Sequence, residues 1–205
     1  MVGRVVTAQF LPVRPDMNEM INRKGAEEGR VSKGQNSWVI DTLQPGDVLV
    51  VDMFGKIRDG TFAGDNLATA IYTKSKNGLV VNGSVRDVSG MQEIQGFRAF
   101  VKGVDPSVIK DVMLVGINVP IRIGDTTILP GDVVVSDPEG LTFIPPHLAE
   151  KVATTSENVQ LRDKWSHQML REGKYTPGQV DTQWSEAMTK EFEAFAAQER
   201  AKRQR

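Results

Sequence analysis

Apolar positions fall in short runs separated by turn residues up to about His147, and at helical spacing beyond it. GRVVTAQFLPVRPD reads as a strand running into a proline-broken loop, and MNEMINRKGAEEGRVSKGQNS, Met17 to Ser37, is polar enough to read as irregular and exposed. In LQPGDVLVVDMFG a Pro-Gly-Asp turn launches the run Val48 to Val51, and an unbroken apolar run predicts a strand covered on both faces. Asp65 or Asn66 caps the next helix, in which Leu67, Ala70, Ile71 and Lys74 keep helical spacing; Asn77-Gly78 supplies a left-handed stop before the strand LVV. Strand, loop, helix, strand is a crossover unit, and such units are right-handed with parallel strands in nearly all cases.

RAFVKGV, VPIRI and TTILPGDVVVSDPEGLTFIP read as further short strands, with no room for helices between the last of them. The block Pro45 to Asp52 is echoed by Pro130 to Asp137, each a tight turn feeding a buried strand that ends at an aspartate. Two copies are too few for a solenoid and fit two equivalent strand starts in one layered α/β domain. After His147 come a helix to about Glu172, a turn at GKYTPGQ and a last helix with Trp184, Met188, Phe192 and Phe195 on one stripe. That stripe must pack on its own core or on a neighbouring subunit. The expected division is an α/β domain over 1–152 and a helical arm over 153–205.

A near-even charge balance, with net charge −1 over 205 residues, excludes a field over the whole chain that would draw it to nucleic acid or to a membrane surface. The terminal RAKRQR, without aromatic partners, reads as a solvated end. No cysteine occurs, which excludes disulfides, thiolate metal sites and cysteine nucleophiles. No stretch approaches the roughly 20 apolar residues of a membrane span, so the expected location is the cytoplasm.

In a parallel crossover the helix start at Gly64 to Leu67 and the loop after the second strand emerge at the same carboxyl edge of the sheet, where α/β proteins place ligands. The free amides of a helix start carry about half a positive charge and can hold a carboxylate or enolate oxygen. Arg86 offers a planar fork for a carboxylate, and Asp87 a hard oxygen ligand for Mg2+ or Mn2+. Singly, Gly-Asp-Asn is a helix start and Arg-Asp two solvated charges. Together, beside the small Gly83 and Ser84, they suit a small 2-oxo acid bound to a divalent metal.

Asp65, twenty residues, then Arg86-Asp87, together with PGDVLVVD, NGSVRD, GFRAFVKGV, NVPIRIG and PGDVVVSDPEGLTFIP, resembles the family of regulator of ribonuclease activity A (RraA-like) and class II 4-hydroxy-4-methyl-2-oxoglutarate aldolases, from about Gly3 to Val152. The resemblance implies a swivelling β/β/α domain assembled as homotrimers or homohexamers with sites at subunit interfaces. It implies that Gly64, Asp65, Asn66 and Leu67 bind substrate through backbone amides, that Arg86 binds substrate and stabilises the enolate, and that Asp87 holds a divalent metal, Mg2+ or Mn2+. Asp65 and Arg86 are the expected catalytic pair.

The reaction so implied is carbon-carbon lysis of 2-oxo acids, by retro-aldol cleavage or oxaloacetate decarboxylation through a pyruvate enolate. The alternative is a non-catalytic regulator that binds a ribonuclease or other partner protein. The chain departs from the pattern in three places. The family's opening helix has no counterpart before GRVVT, as in a truncated start. Gly90 stands where many family aldolases carry an acid. The tail is longer than in the short members, with Glu186, Glu191 and Glu193 as candidates for an acidic group lent to a neighbouring subunit.

His147 and His167 are not spaced for zinc and read as structural or solvent-facing. Asp52 and Asp137 could reach the ligand edge, although SDPEG reads more simply as a turn. Trp165 and Trp184 read as packing residues. The absence of a Gly-rich phosphate loop followed by lysine disfavours a nucleotide hydrolase.

Overall fold

β1 (Val2–Pro12) runs through the sheet as a strand shared by parallel and antiparallel neighbours. In chain order it is followed by α1 (Pro15–Glu27), α2 (Gln35–Asp41), β2 (Asp47–Ala63), α3 (Asp65–Ser75), β3 (Leu79–Val85), α4 (Val88–Glu93) and β4 (Ala99–Val104). Next come β5 (Val112–Ile117), β6 (Ile121–Ile123), β7 (Thr126–Ile128), β8 (Val133–Ser136) and β9 (Leu141–Ile144), and then the helices α5 (Ala149–Arg171), α6 (Pro177–Val180) and α7 (Glu186–Arg203). The computed structural model describes residues 1–30 and 34–203. It divides into two compact units, Met1–Pro146 and His147–Arg205.

The first unit is a seven-stranded sheet in the order β4-β3-β2-β1-β8-β9, with β5 also paired to β1. β4, β3, β2 and β1 are mutually parallel, as the crossover reading requires, and β5, β8 and β9 are antiparallel additions. Val48 to Val51 are fully buried and split between the faces: Leu49 and Val51 join a core with Trp38, Val39, Ala68, Ile71 and Met91 from the helices. Val48 and Val50 join a second core with Ile121 and Ile128 of the β6–β7 hairpin and Val134 of β8. Helices on one face and a hairpin on the other give a β/β/α layering. Each such side chain removed from water contributes about 1.5–3 kcal/mol before entropy is counted.

The echoed blocks fold alike. Gly46 and Gly131 turn at φ 89° and 90°, and the aspartate after each accepts from the amide three residues back, Gln44 N–H to Asp47 at 2.8 Å and Leu129 N–H to Asp132 at 2.9 Å. Both turns bond to β1, through Arg4 N–H to the Gly46 carbonyl and Gly131 N–H to the Val5 carbonyl.

Several local expectations are corrected. Most of Met17 to Ser37 is helical rather than irregular, with residues 31–33 outside the described set. Pro15 opens α1, where a missing N–H costs nothing, and Ile21 packs on the core. α2 is tied down by Gln35, whose carbonyl accepts Leu114 N–H at 2.6 Å and whose amide donates to Asn18 and Asn22. α3 ends on left-handed Lys76 (φ 56°) rather than at Asn77-Gly78, because the Asn77 side chain is drawn to the Val2 carbonyl at 2.7 Å. VMLVGI forms β5, a strand beyond those expected, held by antiparallel pairing with β1.

In the second unit Trp184, which lies before α7 rather than on it, and Met188, Phe192 and Phe195 of α7 pack with Trp165, Met169 and Val180 of their own chain, the Trp165 and Trp184 rings being 4.7 Å apart. This burial therefore gives no reason for the arm to cross to a neighbour. The terminal basic segment is part of α7 as far as it is described: Arg200 donates to Asn158 at 2.6 Å, while Gln204 and Arg205 lie outside the described residues. Among the described residues no helix is long and apolar enough to cross a membrane.

Lys164 and then Lys202 bond to Glu199 and hold its carboxyl down at about 2, from an ordinary 4.5. A depressed folded-state value means the contribution is complete above about pH 4.5 and fades as pH falls toward 2. Thermal melts should therefore show wild type losing its stability advantage over Glu199→Gln across that window. An advantage that does not change with pH would contradict the pairing.

Candidate active site

Parallel strands deliver three chain segments to one edge. Arg86 N–H donates to the Ala63 carbonyl at 3.1 Å and Asp105 N–H to the Val85 carbonyl at 3.1 Å, so the ends of β2, β3 and β4 leave the sheet side by side. The N-cap of α3 is Gly64, not Asp65 or Asn66, because β2 runs to Ala63 and the helix begins at once. With Gly64 extended (φ −101°, ψ −171°), its carbonyl accepts Ala68 N–H at 3.0 Å, and as a glycine it has no side chain with which to cap the first turn.

A side chain at position 64 would displace the Asp87 carboxylate. A Cβ there would overlap Asp87 Oδ2 and stand 3.2 Å from Arg86 Nε. The Arg86-Asp87 pair thus lies directly against the start of α3, with Arg86 Nε 3.3 Å from Asp87 Oδ2 and the two side chains 39% and 47% exposed. Asp87 is left-handed (φ 55°, ψ 40°), a conformation that few residue types other than glycine and Asn or Asp adopt, and it turns the chain directly into α4.

Asp65 follows Gly64, and its Oδ1 accepts the Asn66 amide at 2.7 Å, so that amide is engaged within the chain. The Leu67 side chain packs on the core, leaving only its backbone for a ligand. At position 90 a Cβ would stand 2.6 Å from Asp65 Oδ2, so in this chain a side chain there would press on Asp65.

Among the described residues no group of three or more His, Cys, Asp or Glu is placed to hold a metal. A closed protein cage is thus absent from that set, and the donor chemistry fits a hard cation that keeps most of its water and takes one or two carboxylates, the habit of Mg2+. Asp87, half-exposed above a position with no side chain, fits that role. The charges agree: one arginine and two aspartates leave the cluster at a formal −1, and a divalent cation would turn it to +1, suited to an anionic ligand.

Residues 1–143 match the RraA-like family, described as Aldolase/RraA. The chain belongs to the RraA-like family. A Halalkalibacterium halodurans protein named "Putative 4-hydroxy-4-methyl-2-oxoglutarate aldolase" is 33% identical over 66% of this chain and 65% of its own. The 4-hydroxy-4-methyl-2-oxoglutarate aldolase of Thermus thermophilus is 32% identical over 52% of this chain and 64% of its own. The chain spans just under two thirds of either relative. The crystal structure of Streptomyces coelicolor RraAS2, described as an unusual member of the RNase ES inhibitor RraA protein family, has a TM-score of 0.68 at 28% identity, covering 82% of this chain and 77% of that one. With the sheet and helices above, this RraA-like chain has the swivelling β/β/α fold with a helical C-terminal extension.

The remaining candidates fall outside this cluster. Asp52 is buried at 7% exposure and accepts from Gln9 at 3.1 Å, Asn82 at 2.8 Å and the Phe54 amide at 2.8 Å, so it ties β1, β2 and β3 together instead of facing a ligand. Asp137 accepts the amides of Glu139 and Gly140, as the turn reading expects. On α7, Glu191 is engaged by Lys174 at 2.8 Å, which holds its carboxyl below the usual range, and by Tyr175 at 3.2 Å. His147 and His167 are exposed. Asp105 was missed by sequence: it follows β4 at the same edge, and the Ser107 hydroxyl and amide hold its carboxyl low. Its signal was its place after a parallel strand.

The buried position of Asp52 makes a prediction. Asp52→Ala strands the amides of Gln9, Asn82 and Phe54 and should lower stability by roughly 3 kcal/mol, measured by urea unfolding. A loss under about 0.5 kcal/mol would show that those donors find water instead.

Proposed function

We propose that the chain is a divalent-metal-dependent carbon-carbon lyase acting on 2-oxo acids, cleaving 4-hydroxy-4-methyl-2-oxoglutarate-like substrates, decarboxylating oxaloacetate, or both. The observation that carries this reading is the contact of Arg86 and Asp87 with the start of α3, over a glycine that leaves room for it. The names of the two aldolase relatives support the reaction class.

Asp87 would hold the cation, Mg2+ or Mn2+, with water filling its other positions. When bound, the cation supplies Lewis-acid polarisation of the 2-oxo group. Arg86 forks onto the substrate carboxylate and the oxygen that gains charge, and the first-turn amides of α3 share that charge. In the retro-aldol direction the C4 hydroxyl gives its proton to Asp65 or a water, C4 becomes the carbonyl carbon of a second 2-oxo acid as the C3–C4 bond breaks, and the electron pair of that bond passes into the enolate of pyruvate. Decarboxylation breaks the corresponding bond, releases CO2 and leaves the same enolate. Asp65 or a water returns a proton to C3. Within this reading the chain works as a homotrimer or a pair of trimers, on a small-molecule substrate and without nucleic acid or membrane.

A second reading is favoured by the likeness to RraAS2: a non-catalytic regulator that binds a ribonuclease or another protein. A panel of 4-substituted 2-oxo acids, assayed for pyruvate with and without Mg2+, separates the two. Metal-dependent release supports the lyase. No release from any member, together with inhibition of a ribonuclease, supports the regulator.

Two substitutions assign roles. Asp87→Asn keeps the shape and removes the charge, so turnover should fall about a hundredfold or more while folding is retained. Unchanged Mg2+-dependent turnover would remove Asp87 from the site. Arg86→Lys keeps charge and loses the fork, so turnover should fall and KM rise together; a rise in KM alone would make Arg86 only a ground-state anchor.

A further inference from the structure

Two aspartates and two glycines interlock at the edge of the site. Asp87, which starts α4, is seated on Gly64 ahead of α3, and Asp65, which starts α3, is seated on Gly90 within α4. The second seat is the tighter in kind. A methyl group at position 90 would stand 2.6 Å from Asp65 Oδ2, 2.8 Å from its Cβ and 3.1 Å from its Cγ. Turning the carboxylate away cannot relieve a contact with Cβ, which is fixed to the backbone, so the start of α3 or α4 itself would have to move.

Movement of α4 would be felt by Asp87. The Asp87 carbonyl accepts the Met91 amide at 3.1 Å, and the Asp87 backbone is held left-handed, so the first turn of α4 and the Asp87 carboxylate shift as one piece. On the other side Asp65 is oriented by the Asn66 amide at 2.7 Å, which makes that amide a reporter of where Asp65 stands.

We infer that Gly90 is a positioning residue. By seating Asp65 without a side chain between them, it sets the spacing between the starts of α3 and α4, and so sets where the Asp87 carboxylate stands toward Arg86 and a cation. The functional half of this inference rests on the cation-holding role proposed for Asp87.

The test uses the full chain and Mn2+ alone, followed by electron paramagnetic resonance, with the Asn66 amide resonance as a readout that needs no cation. Gly90→Ala should move the Asn66 resonance and weaken Mn2+ binding about tenfold, as losses of supporting contacts around metal ligands do. In an Asp65→Gly background, where the colliding Cβ is gone, the same substitution should change Mn2+ affinity less than about twofold; in Asp65→Ala, which keeps that Cβ, the tenfold loss should persist. An unmoved Asn66 resonance, or an equal loss in the Asp65→Gly background, overturns the positioning role. Mn2+ uptake indifferent to Asp87→Asn overturns the cation reading instead, and the Asn66 resonance still decides the spacing.

Discussion

Parallel pairing of β2 with β3 obliges the chain to return to the starting end of the sheet before laying down the second strand, and α3 is that return. Because the strands run the same way, Gly64 at the end of one and Arg86-Asp87 at the end of the next must leave the sheet at one edge. The proposed chemistry depends on this. The helix start, the guanidinium and the carboxylate meet there because of topology, and they touch because Gly64 has no side chain to keep them apart.

The cluster is also an electrostatic arrangement. The start of α3, where the Asn66 amide is already bonded to Asp65, and Arg86 adjoin two aspartates that, without a cation, leave the edge formally negative. A lone carboxylate beside an arginine pairs with it, as Asp87 does at 3.3 Å, and a divalent cation would compete for that carboxylate and release the guanidinium fork toward an anion. Cation and substrate are thus expected to bind with mutual support. The left-handed backbone at Asp87 is the local strain that such a site tolerates when surrounding contacts fix it.

The crossover itself was legible in the sequence. The Pro-Gly-Asp turn, the run Val48 to Val51 and the spacing of Leu67, Ala70 and Ile71 are local signals, and so is the echo at Pro130 to Asp137. What escaped was set by contacts between distant residues. Asp65 and Asn66 are good capping residues by type, whereas Gly64 holds the cap position because β2 runs on to Ala63 and α3 begins at Asp65. In the sequence Gly90 is an absent acid; in the structure it is the seat of Asp65. α1 and α2 were hidden by polar composition, and the sequence left open whether the stripe from Trp184 to Phe195 packs on its own core or on a neighbour, because periodicity does not name its partner, Trp165 on α5. Family membership follows from the match over residues 1–143, while the lyase reading depends on the arrangement at one edge.

The most direct measurement is a crystal structure of the chain soaked with Mg2+ and oxalate, a planar dianion that mimics the enolate of pyruvate. The account predicts a cation about 2.1 Å from an Asp87 oxygen, with oxalate chelated to it and within hydrogen-bond reach of Arg86 and the first-turn amides of α3. Oxalate and cation bound elsewhere, with Arg86 still closed on Asp87, would contradict it.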